Sequence, residues 1–171
     1  GLEVDIEGFE REMEAQRERA RAASHFGGDF DAVRAYQDLG VDSTTFFGYQ
    51  TLTASTVVVG LLAEGQPVNQ ATQGQEVEVV LRETPFYAEM GGQVGDAGEI
   101  AGQGVTLRVD DTQTPITGLT VHRCTVLSGT IVLGDTVEAT VDSHRRADTA
   151  RNHTATHMLH AALRQVLGTH V

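Results

Sequence analysis

Lysine is absent from the 171 residues, so all 12 cations are arginine, and there is one cysteine, Cys124. A genome-level codon bias accounts for the missing lysine without any mechanism. A single cysteine excludes an intramolecular disulfide and any all-cysteine zinc site within the chain. Proline is scarce, 3 residues against 19 glycines, and aromatics make up only 5%. With 40% hydrophobic and 21% charged residues, that balance describes a folded, turn-rich chain, neither disordered nor collagen-like. No run approaches the roughly 18 apolar residues of a membrane span. Residues 1 to 20 are charged where a signal peptide would be apolar. The expectation is a soluble, cytoplasmic protein with no membrane partner. Its length fits one domain, or one domain with an appended segment.

The net charge is −12, which excludes nucleic-acid binding through the average field. The average hides a gradient. Residues 1 to 42 carry −6, residues 43 to 142 carry −9, and residues 143 to 171 carry +3 together with five of the seven histidines. Phosphate is therefore expected to meet the last segment.

These three blocks also differ in hydrophobic period. Ile6, Phe9, Met13 and Ala20 recur at the spacing of one helix face over residues 5 to 23, with Asp5 as a candidate cap and a charged opposite face. Such a helix docks one narrow stripe on a neighbour. Gly27 and Gly28 end the pattern. From residue 46 to 142 the period becomes two, in runs broken by glycine: Thr51 to Leu62, Glu76 to Glu83, Glu99 to Ala101, Val105 to Asp110, Leu119 to Leu127 and Thr136 to Val141. Val77, Val79 and Leu81 alternate with Glu76, Glu78, Val80 and Arg82, which puts the first three on a core face. Six or seven short strands with no helix between them predict an antiparallel barrel, because closure removes exposed edges. The fold class is α+β, mainly β. Cys124 lies mid-strand and reads as a small buried residue, although the pleat puts His122 on its face. After Val141 the pattern predicts a short helix from Ser143 to Ala150 and a longer one from His153 to Leu167, with Asn152 as cap and Gly168 as stop.

Three constellations could carry chemistry. His153, His157 and His160 stand at i, i+4 and i+7 of the last helix, and two imidazoles four apart share a side and can hold one tetrahedral metal. A polar helix face at a domain contact would look the same. Thr154 follows the first histidine, where the common metalloprotease pattern has its glutamate base. The second constellation runs from Thr84 to Asp96 and contains Gly91-Gly92-Gln93. Paired glycines let backbone amides approach a ligand and Gln93 offers a donor and an acceptor, but a plain glycine hairpin or bulge also fits. The triplet resembles the peptide-release loop of class I release factors, yet those loops sit among basic residues and Glu83, Glu89 and Asp96 flank this one. The third is Arg145, Arg146 and Arg151, an ordinary solvated helix face or, beside metal ligands, a phosphodiester contact.

Together, the stretch Thr84 to Asp96 and the run Arg151-Asn152-His153-Thr154-Ala155-Thr156-His157-Met158-Leu159-His160-Ala161-Ala162-Leu163-Arg164 resemble the alanyl-tRNA synthetase family, in the region joining its aminoacylation half to its editing domain. The resemblance implies three parts: residues 1–42 ending the helical tRNA-recognition region, residues 43–142 a translation-protein-like barrel, and residues 143–171 the first helices of a truncated zinc-binding editing core. It implies ligation of alanine to tRNA(Ala) with ATP and magnesium in the full enzyme, and hydrolysis of tRNA(Ala) mischarged with serine or glycine in the editing domain.

Site residues follow from the same resemblance. His153 and His157 match the first two zinc ligands, and the others, a cysteine and a histidine, fall beyond Val171. Thr156 would sense the substrate side chain at the pocket mouth, Gly91, Gly92 and Gln93 would close the pocket from the barrel side, and His160 would stand behind the ligands. Arg145, Arg146 and Arg151 would contact the tRNA acceptor end, and the rest of the same polypeptide would complete the site. Every class II aminoacylation motif is missing, so the 171 residues alone are expected neither to charge nor to deacylate tRNA, and to hold zinc weakly. Two alternatives stay open: a non-catalytic barrel that positions tRNA or docks neighbouring domains, and a freestanding editing hydrolase, against which the helix at residues 5 to 23 argues. Threonyl-tRNA synthetase editing domains share the histidine spacing but are not expected to carry the Tyr87 to Asp96 motif.

Overall fold

The computed structural model describes Gly8, Met13, residues 29–168 and His170. The helix expected over residues 5 to 23 lies outside these, apart from Gly8 and Met13, which are both helical. In chain order the elements are α1 (Asp29–Asp38), β1 (Thr45–Phe46), β2 (Thr53–Ala63), β3 (Gln66–Pro67), β4 (Gln70–Thr72), β5 (Glu76–Leu81), β6 (Glu83–Thr84), β7 (Gly98–Gly102), β8 (Val105–Ile116), β9 (Leu119–Ser128), β10 (Thr130–Val132), β11 (Thr136–Val141) and α2 (Ser143–Leu167). Packing divides the chain between Arg34 and Ala35, and residues 35–171 are described below. Among the described residues no helix is long and apolar enough to cross a membrane.

Alternation drives the barrel. Strands run in the order β11-β7-β8-β9-β5-β2, with β3 beyond β2, and β11 also pairs with β2, which closes six antiparallel strands on themselves. Val77, Val79 and Leu81 point into the core as their pattern predicts, joined by Leu61, Leu107 and Ile131, all buried. The strand expected to end at Asp110 continues to Ile116, because a register shift between Val109 and Asp111 breaks the alternation that marks a strand in sequence. Strands β3, β4 and β10, of two or three residues each, are too short to show any period.

A second apolar cluster lies outside the barrel wall. Val80, Leu119 and Val121 are buried against Tyr36, Leu39 and Val41, and the Tyr36 hydroxyl donates to Glu78 at 2.7 Å. Leu39 settles over Gly60, where a Cβ would lie 2.9 Å from its Cδ1. This packing makes Val79, Val80 and Leu81 buried in succession, so β5 is covered on both faces and loses its alternation at that end.

One helix, α2, replaces the two expected between Ser143 and Leu167. Nothing between Ala150 and His153 breaks a helix, since Asn costs only a fraction of a kcal/mol in a helix interior, about 0.7 at most. Asn152 is therefore an interior residue and not a cap. Asp142 caps the helix instead, its carboxylate accepting from the amides of His144 and Arg145, both at 3.0 Å. Gly168 ends the helix as expected, with φ at 108°. None of the residues of α2 is buried, and the stripe Met158, Leu159, Leu163 and Val166 is exposed.

Candidate functional site

The glycine pair sits at a hairpin tip. Met90 and Gln93 exchange both backbone hydrogen bonds, at 3.2 and 3.0 Å, and Gly91 and Gly92 between them have φ of 61° and 82°. A two-residue loop with both central φ positive is a turn that glycine adopts at no steric cost. The hairpin explanation for the glycines therefore holds, and it leaves their amides exposed at the tip. Behind the tip, the Glu89 amide donates to the Thr112 carbonyl at 2.8 Å, and Gly95 packs so tightly that a Cβ would stand 2.2 Å from the Thr112 carbonyl oxygen. Replacing Gly95 with alanine is expected to cost about 1–3 kcal/mol and to displace the hairpin. Gly91→Ala meets open space and pays only for its left-handed φ, about 1–2 kcal/mol. Urea melts of the two variants check each loss; a Gly95→Ala loss below about 1 kcal/mol would mean that the close approach at Gly95 does not constrain the loop.

Across from the tip lies the first half of α2. Gly91, Gly92, Gln93 and Val94 line one cavity of about 390 Å³ with Thr149, Asn152, His153, Thr156 and His157. Residues some 60 positions apart in sequence, singled out for unrelated reasons, thus share one space. The Nε2 atoms of His153 and His157 lie 2.9 Å apart. Tetrahedral ligation at about 2.0–2.1 Å sets two nitrogens about 3.3 Å apart, so a small rotation would bring the pair to the spacing that one zinc ion needs. These two imidazoles fit half of a zinc site. Among the described residues no group of three or more His, Cys, Asp and Glu converges. Thr156 donates its hydroxyl proton to the Asn152 carbonyl at 2.9 Å, leaving its oxygen to accept from a ligand. His160 is exposed on α2 and is not among the residues lining this cavity.

The three arginines part company. Arg145 and Arg151 are exposed, Arg151 paired with Asp148. Arg146 turns inward. Its guanidinium grips the Asp96 carboxylate through Nε, at 3.2 Å, and through Nη2, and it donates to the carbonyls of Gly48 and Pro85, each at 2.7 Å. These four acceptors take four of its five N–H donors, all on protein groups. It pins α2 to the barrel mouth. Asp96 completes the anchor by accepting from the Tyr87 amide at 2.7 Å. Sequence reasoning missed this pair; its one signal was Asp96 closing the glycine-rich stretch.

Thr84, which opens that stretch, is held from below. Its hydroxyl meets His122 Nε2 at 2.7 Å, and His122 Nδ1 meets the Val79 carbonyl at 2.9 Å. A carbonyl only accepts, so the proton sits on Nδ1 and Nε2 accepts from Thr84, whose oxygen accepts in turn from the Phe86 amide at 3.1 Å. Burial pushes His122 down to about 4, against a partial opposing effect of its bond to Val79. It is a neutral structural imidazole. Cys124 is buried beside it, and burial, then the carboxylates of Asp110 and Glu78, push its thiol well above the ordinary range, which removes it as a nucleophile. A separate cavity of about 570 Å³, lined by Glu64, Glu76, Glu78, Arg108 and Cys124 among others, contains none of the sequence-predicted site residues.

Comparison with known proteins bears on the chain as a whole. A family model described as tRNA synthetases class II (A) matches residues 1–145. The alanine–tRNA ligase of Xanthomonas euvesicatoria pv. vesicatoria is 49% identical over 172 residues, covering 100% of this chain. The chain belongs to the alanyl-tRNA synthetase family. The alanine–tRNA ligases of Chloroflexus aurantiacus and Roseiflexus sp. are each 48% identical over 99% of it. The chain spans 19% of the length of each of these relatives. The family match ends at residue 145, so the histidine pair is covered by the alignments to individual synthetases and not by the family model.

Proposed function

We propose that the chain contributes the barrel and the first helix of an editing site that hydrolyses tRNA(Ala) mischarged with serine or glycine, within an enzyme that ligates alanine to tRNA(Ala). One observation carries this: the hairpin tip and the His153, Thr156, His157 face of α2 line a single cavity. In this reading residues 1–42 end the tRNA-recognition region, residues 43–142 form the barrel, and residues 143–171 begin the editing domain of a cytoplasmic enzyme.

The substrate is an ester between an amino acid and a terminal ribose hydroxyl; water adds to its carbonyl carbon and the ribose oxygen leaves with a proton. His153 and His157 would hold zinc together with ligands from elsewhere in the polypeptide, and the metal would supply Lewis-acid chemistry to the ester. Thr156, its own proton committed to the helix, accepts from the hydroxyl of a seryl group. Gly91, Gly92 and Gln93 close the pocket with exposed amides and one carboxamide. Arg145 and Arg151, on the segment carrying +3, meet tRNA phosphates, whereas the −9 of residues 43 to 142 keeps phosphate off the barrel. ATP and magnesium serve the aminoacylation half, outside these residues.

The test uses a polypeptide of the relatives' full length that carries this segment. Replacing His153 or His157 with alanine is expected to remove the zinc and lower Ser-tRNA(Ala) deacylation by about 10-fold or more, with alanine activation unchanged. The 171 residues alone are expected to deacylate nothing. Undiminished deacylation without zinc, or measurable hydrolysis by the short chain, would sink the proposal.

A further inference from the structure

A second cavity, about 550 Å³, also flanks α2; it is lined by Gly48, Tyr87, Asp96 and Arg146 among others and shares Gln93, Thr149 and His153 with the first. No residue of α2 is buried, and among the described residues none belongs to either apolar cluster. Packing therefore contributes little to the placement of this helix. Its backbone joins the barrel at Asp142, whose amide donates to the Ala97 carbonyl at 2.8 Å. From that joint to His157 is about 22 Å along the axis, so a tilt of about 5° would carry the imidazole by about 2 Å. One turn past the joint stands Arg146. Its hydrogen bonds to Asp96, Gly48 and Pro85 reach three segments of the barrel mouth. Asp96 in turn closes the base of the glycine hairpin: its amide donates to the Tyr87 carbonyl at 2.9 Å, and its carboxylate accepts from the Tyr87 amide at 2.7 Å. A single carboxylate thus ties together the two elements that wall the first cavity.

We infer that Arg146, acting through Asp96, is a positioning residue: it sets the gap between the hairpin tip and the Thr156 face of α2, and that gap decides how well the cavity reads the acyl side chain. The inference rests on the editing reading and deepens it. In that reading a seryl hydroxyl must reach Thr156 while Gly91, Gly92 and Gln93 hold the acyl group from the opposite wall. Two oxygens share a hydrogen bond only over about 2.5–3.0 Å, a window far narrower than the shift that such a tilt would produce. A seryl group therefore needs a fixed gap. A glycyl group has no side chain to place and depends on the gap less. Arg146→Lys keeps the charge, but an ammonium on a flexible stem does not span a carboxylate and two carbonyls as the planar guanidinium does.

Two measurements test it. In a polypeptide of the relatives' full length that carries this segment, Arg146→Gln and Arg146→Lys are compared with the parent on Ser-tRNA(Ala) and Gly-tRNA(Ala). The ratio of the two kcat/KM values within one preparation does not depend on how much of it is folded, so a merely structural loss leaves that ratio unmoved. The seryl-to-glycyl ratio is expected to fall about fivefold or more in Arg146→Gln, the worth of one hydrogen bond, and by less in Arg146→Lys. In the metal-free 171-residue chain, nitroxide labels on Met90→Cys and Ala161→Cys, both at exposed positions, report the gap by pulsed EPR, the native Cys124 being buried. Both Arg146 variants should widen the distance distribution by about 2 Å, the displacement that a tilt of about 5° produces. An unchanged distribution, or an unchanged ratio in an enzyme that deacylates, overturns the inference. Because the distances need neither metal nor turnover, a distribution that widens alongside a full-length parent that does not deacylate would overturn the editing reading and leave Arg146 as the residue that places the helix.

Discussion

Replacing Asp96 with alanine is expected to lower the stability of residues 35–171 by about 3–5 kcal/mol, the cost of removing one partner from a largely buried ion pair. The carboxylate is 7% exposed and the Arg146 side chain 21%, so the stranded guanidinium would keep most of its desolvation without its counter-charge. The Tyr87 amide would lose its acceptor as well. Arg146 would then hold α2 only through the carbonyls of Gly48 and Pro85, loosening the face that carries His153 and Thr156. Urea denaturation of Asp96→Ala, Arg146→Ala and the double variant reads this directly. The double variant should lose clearly less than the two single losses added, because each removal already breaks the same contact. A loss below about 1 kcal/mol in Asp96→Ala would mean that the pair behaves as a solvated surface contact and does not fasten the helix.

Acid should strip a further part of the stability through His122. Its folded-state value is about 4 against an ordinary 6.5, so between those two pH values the unfolded chain binds a proton that the folded chain refuses. Stability is whole above pH 6.5 and falls as pH drops toward 4, by about 1.4 kcal/mol per unit and about 3 kcal/mol in all. Other groups titrate in the same range, so the comparison is His122→Gln, which removes the titration and can still bond to Thr84 or Val79. Urea midpoints at pH 7.5 and 4.5 should separate more widely in the parent chain than in the variant. Equal separation would show that His122 protonates freely and is not the neutral strut between Thr84 and Val79. Asp110, held below its ordinary range by its hydrogen bond from Arg108, adds acid loss only at lower pH, and the two windows are therefore distinct.

Local geometry was legible in the sequence where one residue type answers one local demand. Gly91 and Gly92 suit a turn whose two central φ are positive, and His153 and His157 meet because a helix returns to the same side after four residues. Legibility failed where the demand came from across the fold. Arg145, Arg146 and Arg151 look alike in a basic run, yet only Arg146 faces Asp96, 50 residues away, and two carbonyls from other loops.

The division has a physical basis. Alternation and helical period report which face of an element meets water, and that depends on neighbours a few residues away; hence the barrel strands, the core faces of Val77, Val79 and Leu81, the stop at Gly168 and the histidine pair were all available from the order of residues. Barrel closure by β11 on β2, the inward turn of Arg146 and the two cavities that flank α2 depend on contacts between residues 50 to 100 apart. Those contacts exist only after the strands have twisted far enough to bring the end of the barrel back to its beginning, and it is this closure that delivers α2 to the glycine hairpin.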